Sequence, residues 1–188
     1  MKSTEAYRVL RTHLAPIFQG AGFKRAKGLL SWMRPQGQRH LVVWCQVSQF
    51  GWDDFAGSQF TVEFQLSDEA VVGAFPSRRR RFPKMLDYNG RDEVRTIQNR
   101  VISSLHRPPA NHPLLHTNEA ICAIYLKGFQ RIDQPYTEGD DIWLRYGCED
   151  HLITWARFIA NHLPDWLKQA EAWDGNEADG SPRRDSSV

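Results

Sequence analysis

Glu63 lies in the middle of an alternating stretch, Phe60-Thr61-Val62-Glu63-Phe64-Gln65-Leu66, whose apolar residues occupy one parity while Thr61, Glu63 and Gln65 occupy the other. A second alternating stretch sets Leu41, Val43, Cys45 and Val47 against Val42, Trp44, Gln46 and Ser48. If the two pair, their polar parities share one sheet face. Trp32, from the segment Leu29 to Arg34, and Trp143 and Arg145, from Asp141 to Tyr146, are expected to extend it. The expected face of Trp32, Trp44, Gln46, Glu63, Gln65, Trp143 and Arg145 mixes aromatic platforms with amides, a carboxylate and a guanidinium. It suits a protein partner, a small polar ligand or a stacked base. Were the ligand a substrate, Glu63 would be its general base, oriented near Arg145 and Trp44. The competing expectation is structural: the tryptophans pack under the 68–90 segment as a satellite cluster.

The second constellation is cationic. Arg78-Arg79-Arg80-Arg81 is followed by Lys84, Arg91, Arg95 and Arg100, and is flanked by Phe75 and Phe82. Phosphates call for dense guanidinium donors, and aromatics interleaved with them can stack on bases. The expected anion-binding set is therefore Arg78, Arg79, Arg80, Arg81, Arg91 and Arg95. The charge pattern supplies the alternative. Residues 78–107 hold nine basic and three acidic residues, residues 131–179 hold four basic and eleven acidic, and the whole chain is only +2. Arginines that pair with the acidic segment inside the fold would leave nothing for a polyanion.

Other chemistry finds no spacing to support it. His106, His112 and His116 are separated by Pro108, Pro109 and Pro113, so no helical i, i+4 pair forms, and there is no HExxH. No metal and no cofactor are expected. GxSxG, GxGxxG and GxxxxGK[ST] are absent, and Cys45 sits on an apolar parity where a thiolate is disfavoured. Asp53-Asp54 and Asp140-Asp141 read as turn formers rather than an acid/base couple. Three widely separated cysteines suggest neither a disulfide framework nor a zinc motif.

The elements that must position these groups follow from periodicity. Residues 3–19 predict a helix stopped by Gly20 and Gly22, with Pro16 kinking or shortening its last turn. A three-strand meander follows in Leu29–Arg34, the stretch around Leu41–Ser48, and Phe60–Ser67. Residues 68–90, with Gly73, Pro76, the arginine run and Pro83, predict a long surface loop. Asp92 to Leu105 predicts a helix, 117–127 a short helix capped by Thr117 or a strand rich in Ile and Tyr, with Asn118-Glu119-Ala120 favouring the helix, Asp141–Tyr146 a strand, and about Asp150 onward a closing helix that Pro164 kinks. With 41% hydrophobic residues and seven tryptophans in 188, one domain can fill its core without disulfides or metal. The expected fold is a single α+β domain over residues 1–173, mainly antiparallel, with helices packed on one face. Residues 174–188, apolar only at Ala178 and Val188, predict a disordered polar tail.

These pieces together resemble a bacterial domain family of unknown function, number 4304 in the usual series. The likeness rests on the N-terminal helix followed by Gly22-Phe23-Lys24-Arg25, on Val42 to Gln49, on Phe60 to Phe64, on the Arg78 to Arg81 segment, and on Asp141 to Tyr146 before the last helix. It spans roughly residues 5–168 and implies an α+β fold and no activity. A run of four arginines departs from its usual members. With no apolar run long enough to span a bilayer and no secretory leader pattern at Met1-Lys2-Ser3-Thr4-Glu5, the protein is expected to be cytoplasmic and without membrane association. The leading functional expectation is a non-enzymatic protein-binding module, of immunity or antitoxin type. Nucleic acid or another polyanion is the second expected partner, and an enzyme on a polar ligand is the third reading.

Overall fold

The chain opens with a helix whose stop signal also directs the entry into the sheet. In the computed structural model, which describes residues 3–28 and 30–173, α1 (Ser3–Gly20) buries Ala6, Val9, Leu10, Leu14 and Phe18 along one stripe. Gly22 adopts φ +82°. Its N–H donates to the Gln19 carbonyl, and the Phe23 N–H reaches back to the Phe18 carbonyl at 2.9 Å, closing the helix in a left-handed turn that suits glycine. The Phe18 and Phe23 rings meet edge-on across this turn, 5.5 Å apart. Pro16, expected to shorten the last turn, is accommodated within a helix that still reaches Gly20.

Six strands follow among the described residues: β1 (Lys24–Arg25), β2 (Leu30–Gln36), β3 (Arg39–Val47), β4 (Ser58–Ser67), β5 (Ser77–Arg81) and β6 (Leu144–Tyr146). All pairings are antiparallel, in the order β1-β2-β3-β4-β5. β6 shares the outer edge of β4 with β5, pairing with Ser58–Phe60 while β5 pairs with Glu63–Ser67. Between β5 and β6 lie a 3-10 turn (Phe82–Met85), α2 (Tyr88–Ser104) and α3 (Glu119–Lys127), and α4 (Glu149–Glu171) closes the described chain. This is an α+β fold built on the expected β2-β3-β4 meander. The tail at 174–188 and Leu29 lie outside the described residues.

One sheet face carries the core. Leu41, Val43 and Cys45 of β3 and Phe60, Val62, Phe64 and Leu66 of β4 pack with α1 and with Leu152, Trp155, Ile159, Leu163 and Trp166 of α4. Burial there pushes the Cys45 thiol up to about 12. α4 runs through Pro164 as one helix, and it stacks Trp166 edge-on to Phe64 at 5.9 Å and Phe158 against Phe82. Among the described residues no helix is long and apolar enough to cross a membrane.

Two expectations are corrected. The segment 68–90 is not one long loop: Ser77–Arg81 is an edge strand, followed directly by the 3-10 turn and by α2, which starts at Tyr88 rather than Asp92. An arginine run has no hydrophobic period, so nothing local marks it as a strand. It becomes one because β4 offers an unpaired edge, and because long arginine stems can lie along apolar surface while their heads stay in water. The second correction is Trp32. It pairs with Val43, not with the Trp44 parity, and it stacks on Phe18 at 4.3 Å inside the core. The neighbouring Leu30 shares its parity, and burying both outweighs exposing either.

β6 is short, and α2 completes its bonding. Gln98 is buried; its Nε2 donates to the Trp143 carbonyl at 2.9 Å and its Oε1 accepts from the Arg145 N–H at 2.8 Å. One side-chain amide thus does for β6 what a neighbouring strand would do.

Candidate functional site

The second face of the sheet is assembled by register. Trp44 lies opposite Glu63, Gln46 opposite Thr61, and Val42 opposite Gln65. β5 then sets Arg81 opposite Glu63 and Arg79 opposite Gln65. The alternation expected for β3 and β4 therefore holds, and it gathers the arginine strand into the same place.

Arg79 and Arg81 converge on Glu63. Arg79 Nε and Nη2 donate to Glu63 Oε1 at 3.0 and 2.7 Å, while Arg81 Nε stands 3.9 Å from Oε2. The Arg79 guanidinium lies over the Trp44 ring at 5.1 Å, and that of Arg81 over the Trp143 ring at 5.2 Å. Arg81 also grips both oxygens of Asp141, at 2.8 and 2.7 Å, and Trp143 Nε1 donates to the same carboxylate at 3.2 Å. Two guanidiniums and two carboxylates thus form a net-neutral cluster roofed by cation–aromatic pairs. Trp44, expected as an open platform, is buried beneath Arg79.

Two buried polar atoms in this cluster, Thr61 Oγ1 and Glu63 Oε2, make no hydrogen bond among the described residues, although Glu63 Oε2 keeps its ion pair with Arg81. An orphaned buried acceptor or hydroxyl costs roughly 1–3 kcal/mol, so the sheet keeps both at a loss. They lie two residues apart on one face of β4; Arg81, opposite Glu63, has a side chain about one-third exposed (34%).

The other expected site residues are engaged elsewhere. Gln65 holds down the 68–76 loop, donating to Ser67 Oγ and the Val71 carbonyl and accepting from the Gly73 N–H, each at 2.8 Å. Arg145 donates to the Ala56 carbonyl at 2.9 Å, beneath Gly128. These two anchored segments border the cluster on either side. The anion set is not brought together. Arg78 and Arg80 sit over Trp173, each at 5.6 Å; Arg91 donates to the Leu86 carbonyl at 2.6 Å; and Arg95 donates to Asp92 and to the Asp133 carbonyl. Thr61 and Asp141 were not among the expected site residues. The signal for both was in the sequence: Asp141 stands two residues before Trp143, and Thr61 shares the parity of Glu63.

A second concave region, of about 220 Å³, is lined by Asp54, Phe55, Ser104, His106, Cys148 and His151 among others. Ser104 Oγ lies 3.1 Å from His151 Nε2, a spacing that resembles a nucleophile and its base. The hydrogen bonds say otherwise. The Gly147 N–H donates to Nδ1 at 2.9 Å, which leaves the ring proton on Nε2 to donate to Ser104, and the Ser104 hydroxyl gives its own proton to the Val101 carbonyl at 2.7 Å. His151 therefore ties β6 to α2 as a neutral ring. Burial lowers its pKa, with Asp150 acting weakly in the opposite direction. Because the unfolded chain takes up this proton first, the stability that depends on the neutral ring is present above about pH 6.5 and is lost as pH falls through and below it. Thermal melts across that range should show this decline, and His151→Asn should flatten it.

Among the described residues no group of three His, Cys, Asp or Glu side chains is placed to hold a metal ion. The chain matches no protein-family model, no curated protein and no solved structure.

Proposed function

We propose that this is a cytoplasmic, non-catalytic protein-binding module that receives a polar side chain of its partner at the Thr61–Glu63 position of the second sheet face. The observation that supports the reading is the pair of buried atoms without a hydrogen bond, Thr61 Oγ1 and Glu63 Oε2, the latter next to Arg81. Displacing Arg81 from Trp143 and Asp141 would uncover Glu63 Oε2, and a hydroxyl or amide donor from the partner would bond it and reach Thr61 Oγ1, two residues along the same face. Because the cluster is net neutral, it favours a neutral donor over a cation. A carboxylate next to that donor would pair with the displaced Arg81. Trp143, half-buried at the margin, supplies apolar contact area of the kind that dominates interfaces. The resemblance to the family numbered 4304 belongs to the same proposal and adds no activity to it. An immunity- or antitoxin-like role would be one form of such binding.

Thr61→Val is the decisive variant. It keeps the shape and removes an orphaned hydroxyl, so it should leave the melting temperature unchanged or raise it, while partner retention falls at least about tenfold. Trp143→Ala should weaken retention similarly. The measurement is affinity capture with the purified protein and both variants in parallel, followed by mass spectrometry and by titration of the captured protein. A partner held equally by all three sinks the proposal. Retention of single-stranded nucleic acid with a steep salt dependence would transfer the function to the arginines, and a co-purifying metabolite would revive Glu63 as a base.

A further inference from the structure

α3 is the one α-helix among the described residues that buries nothing, whereas α1, α2 and α4 each bury a stripe. It is nonetheless firmly held. Asn118 caps it by accepting from the Ile121 N–H at 3.0 Å, in place of the expected Thr117. Tyr125 donates to Asp53 at 2.9 Å and stacks on His112 at 5.2 Å. Asp53 is itself built in: burial alone would raise its pKa, but hydrogen bonds from the Ala56 N–H, Tyr125 and the Phe55 N–H, with His112 nearby, bring it below the usual value. The Tyr125 side thus faces the domain, and the opposite side presents Ala120, Ala123, Ile124 and Lys127 at i, i+3, i+4, i+7 spacing. Ile124 is 74% exposed and Leu126, at 40%, flanks this face, while Ile121, at 45%, lies one turn before Tyr125 on the other.

We infer that this face pairs with the same face of a second copy of the chain, antiparallel, about a two-fold axis passing near residues 123 and 124. The charges specify that occupant. Glu119 opens the helix and Lys127 closes it, two turns apart, with no other charged residue between them. Antiparallel pairing brings each Glu119 level with Lys127 of the second copy, whereas parallel pairing would set like charges together. Ala120 and Ala123 allow the backbones to approach, and each Ile124 meets the Ala123 of the other copy. A two-fold interface requires such self-complementarity. A nine-residue helix is only about 13 Å long, so the contact is smaller than the roughly 1,600 Å² of a standard interface and the dimer is weak and concentration-dependent.

Sedimentation velocity over a concentration series of the full chain tests this. The wild type should shift reversibly from monomer to dimer, and Ile124→Glu should remain monomeric throughout. Glu119→Lys and Lys127→Glu alone should each weaken association at least about fivefold, and the double reversal should restore it to within about twofold. Because α3 buries no side chain, Ile124→Glu should keep the wild-type melting temperature; the two charge reversals oppose the helix dipole at its ends, so their melting temperatures, set beside the wild type's, separate lost association from a frayed helix. A wild type monomeric up to about 1 mM, or a double reversal no better than the singles, would overturn the inference. Association that survives Ile124→Glu would place the interface elsewhere and overturn it too.

Discussion

Gly57→Ala should lower folding stability by at least about 3 kcal/mol, combining the strain of a left-handed residue with an overlap that no side chain can relieve. Gly57 has φ +68° and closes a tight turn with Asp53, whose N–H donates to the Gly57 carbonyl at 2.9 Å while the Gly57 N–H returns a bond at 2.8 Å. A Cβ at this position would overlap the carbonyl oxygen of Tyr146 and lie 2.9 Å from its carbonyl carbon. Both sides of the clash are backbone, one in the turn and the other in β6. Relief therefore requires moving the turn off the sheet or breaking the Ser58–Tyr146 pairing beside it. Gly37 provides the control. It also has positive φ, at +60°, but nothing lies within 4 Å of a Cβ there, so Gly37→Ala should cost only the strain of the conformation, about 1 kcal/mol. Urea midpoints of the two variants compare them directly, and equal losses would show that the turn does not press on β6.

Gln98→Leu should be the next most damaging, at about 2–4 kcal/mol, because it leaves the Arg145 N–H and the Trp143 carbonyl unpaired in a partly buried setting. For a chain of this size the melting temperature should fall by on the order of 10 °C. The effect should also be local. β6 is three residues long and bonds to β4 on one side only, so without the amide the Arg145 N–H should exchange with solvent much faster while the β3–β4 ladder stays protected. Gln98→Glu discriminates further. It keeps an acceptor for the Arg145 N–H but turns an oxygen towards the Trp143 carbonyl, so it should recover part of the loss and no more. Because Trp143 and Asp141 lead into β6, Gln98→Leu should also loosen the Arg81 grip and weaken partner retention. A variant with wild-type exchange at Arg145 would show that β6 does not depend on α2.

Much of the sheet was legible because alternation is a local property. The Phe60–Leu66 stretch and the two parities of β3 needed no neighbour to be read, since successive side chains of any strand point to opposite faces. The ends of α1 were equally local, with Gly22 supplying the one backbone conformation its stop requires. The candidate site was half legible for the same reason. Trp44, Gln46, Glu63 and Gln65 share a face as expected. Yet their availability depends on groups distant in sequence: Gln65 is consumed by the 68–76 loop and Arg145 by the Ala56 carbonyl, and Trp44 lies under Arg79.

By itself, the sequence determined the α+β class, the meander, the core face and the parity of residues 41–47 on β3 and 60–67 on β4, because side-chain period and turn chemistry are written within a few residues. Only the tertiary structure decided that four arginines form a strand, that Trp32 belongs to the core, and that the charges of Arg79 and Arg81 meet Glu63 and Asp141 instead of solvent. An edge strand exists only because another strand has a free edge. Which acid neutralises which arginine depends on a register that links residue 63 to 81 and residue 81 to 141. Those separations carry no periodic signal, so the net-neutral cluster, and the two buried atoms in it that make no hydrogen bond, appear only once the chain has folded.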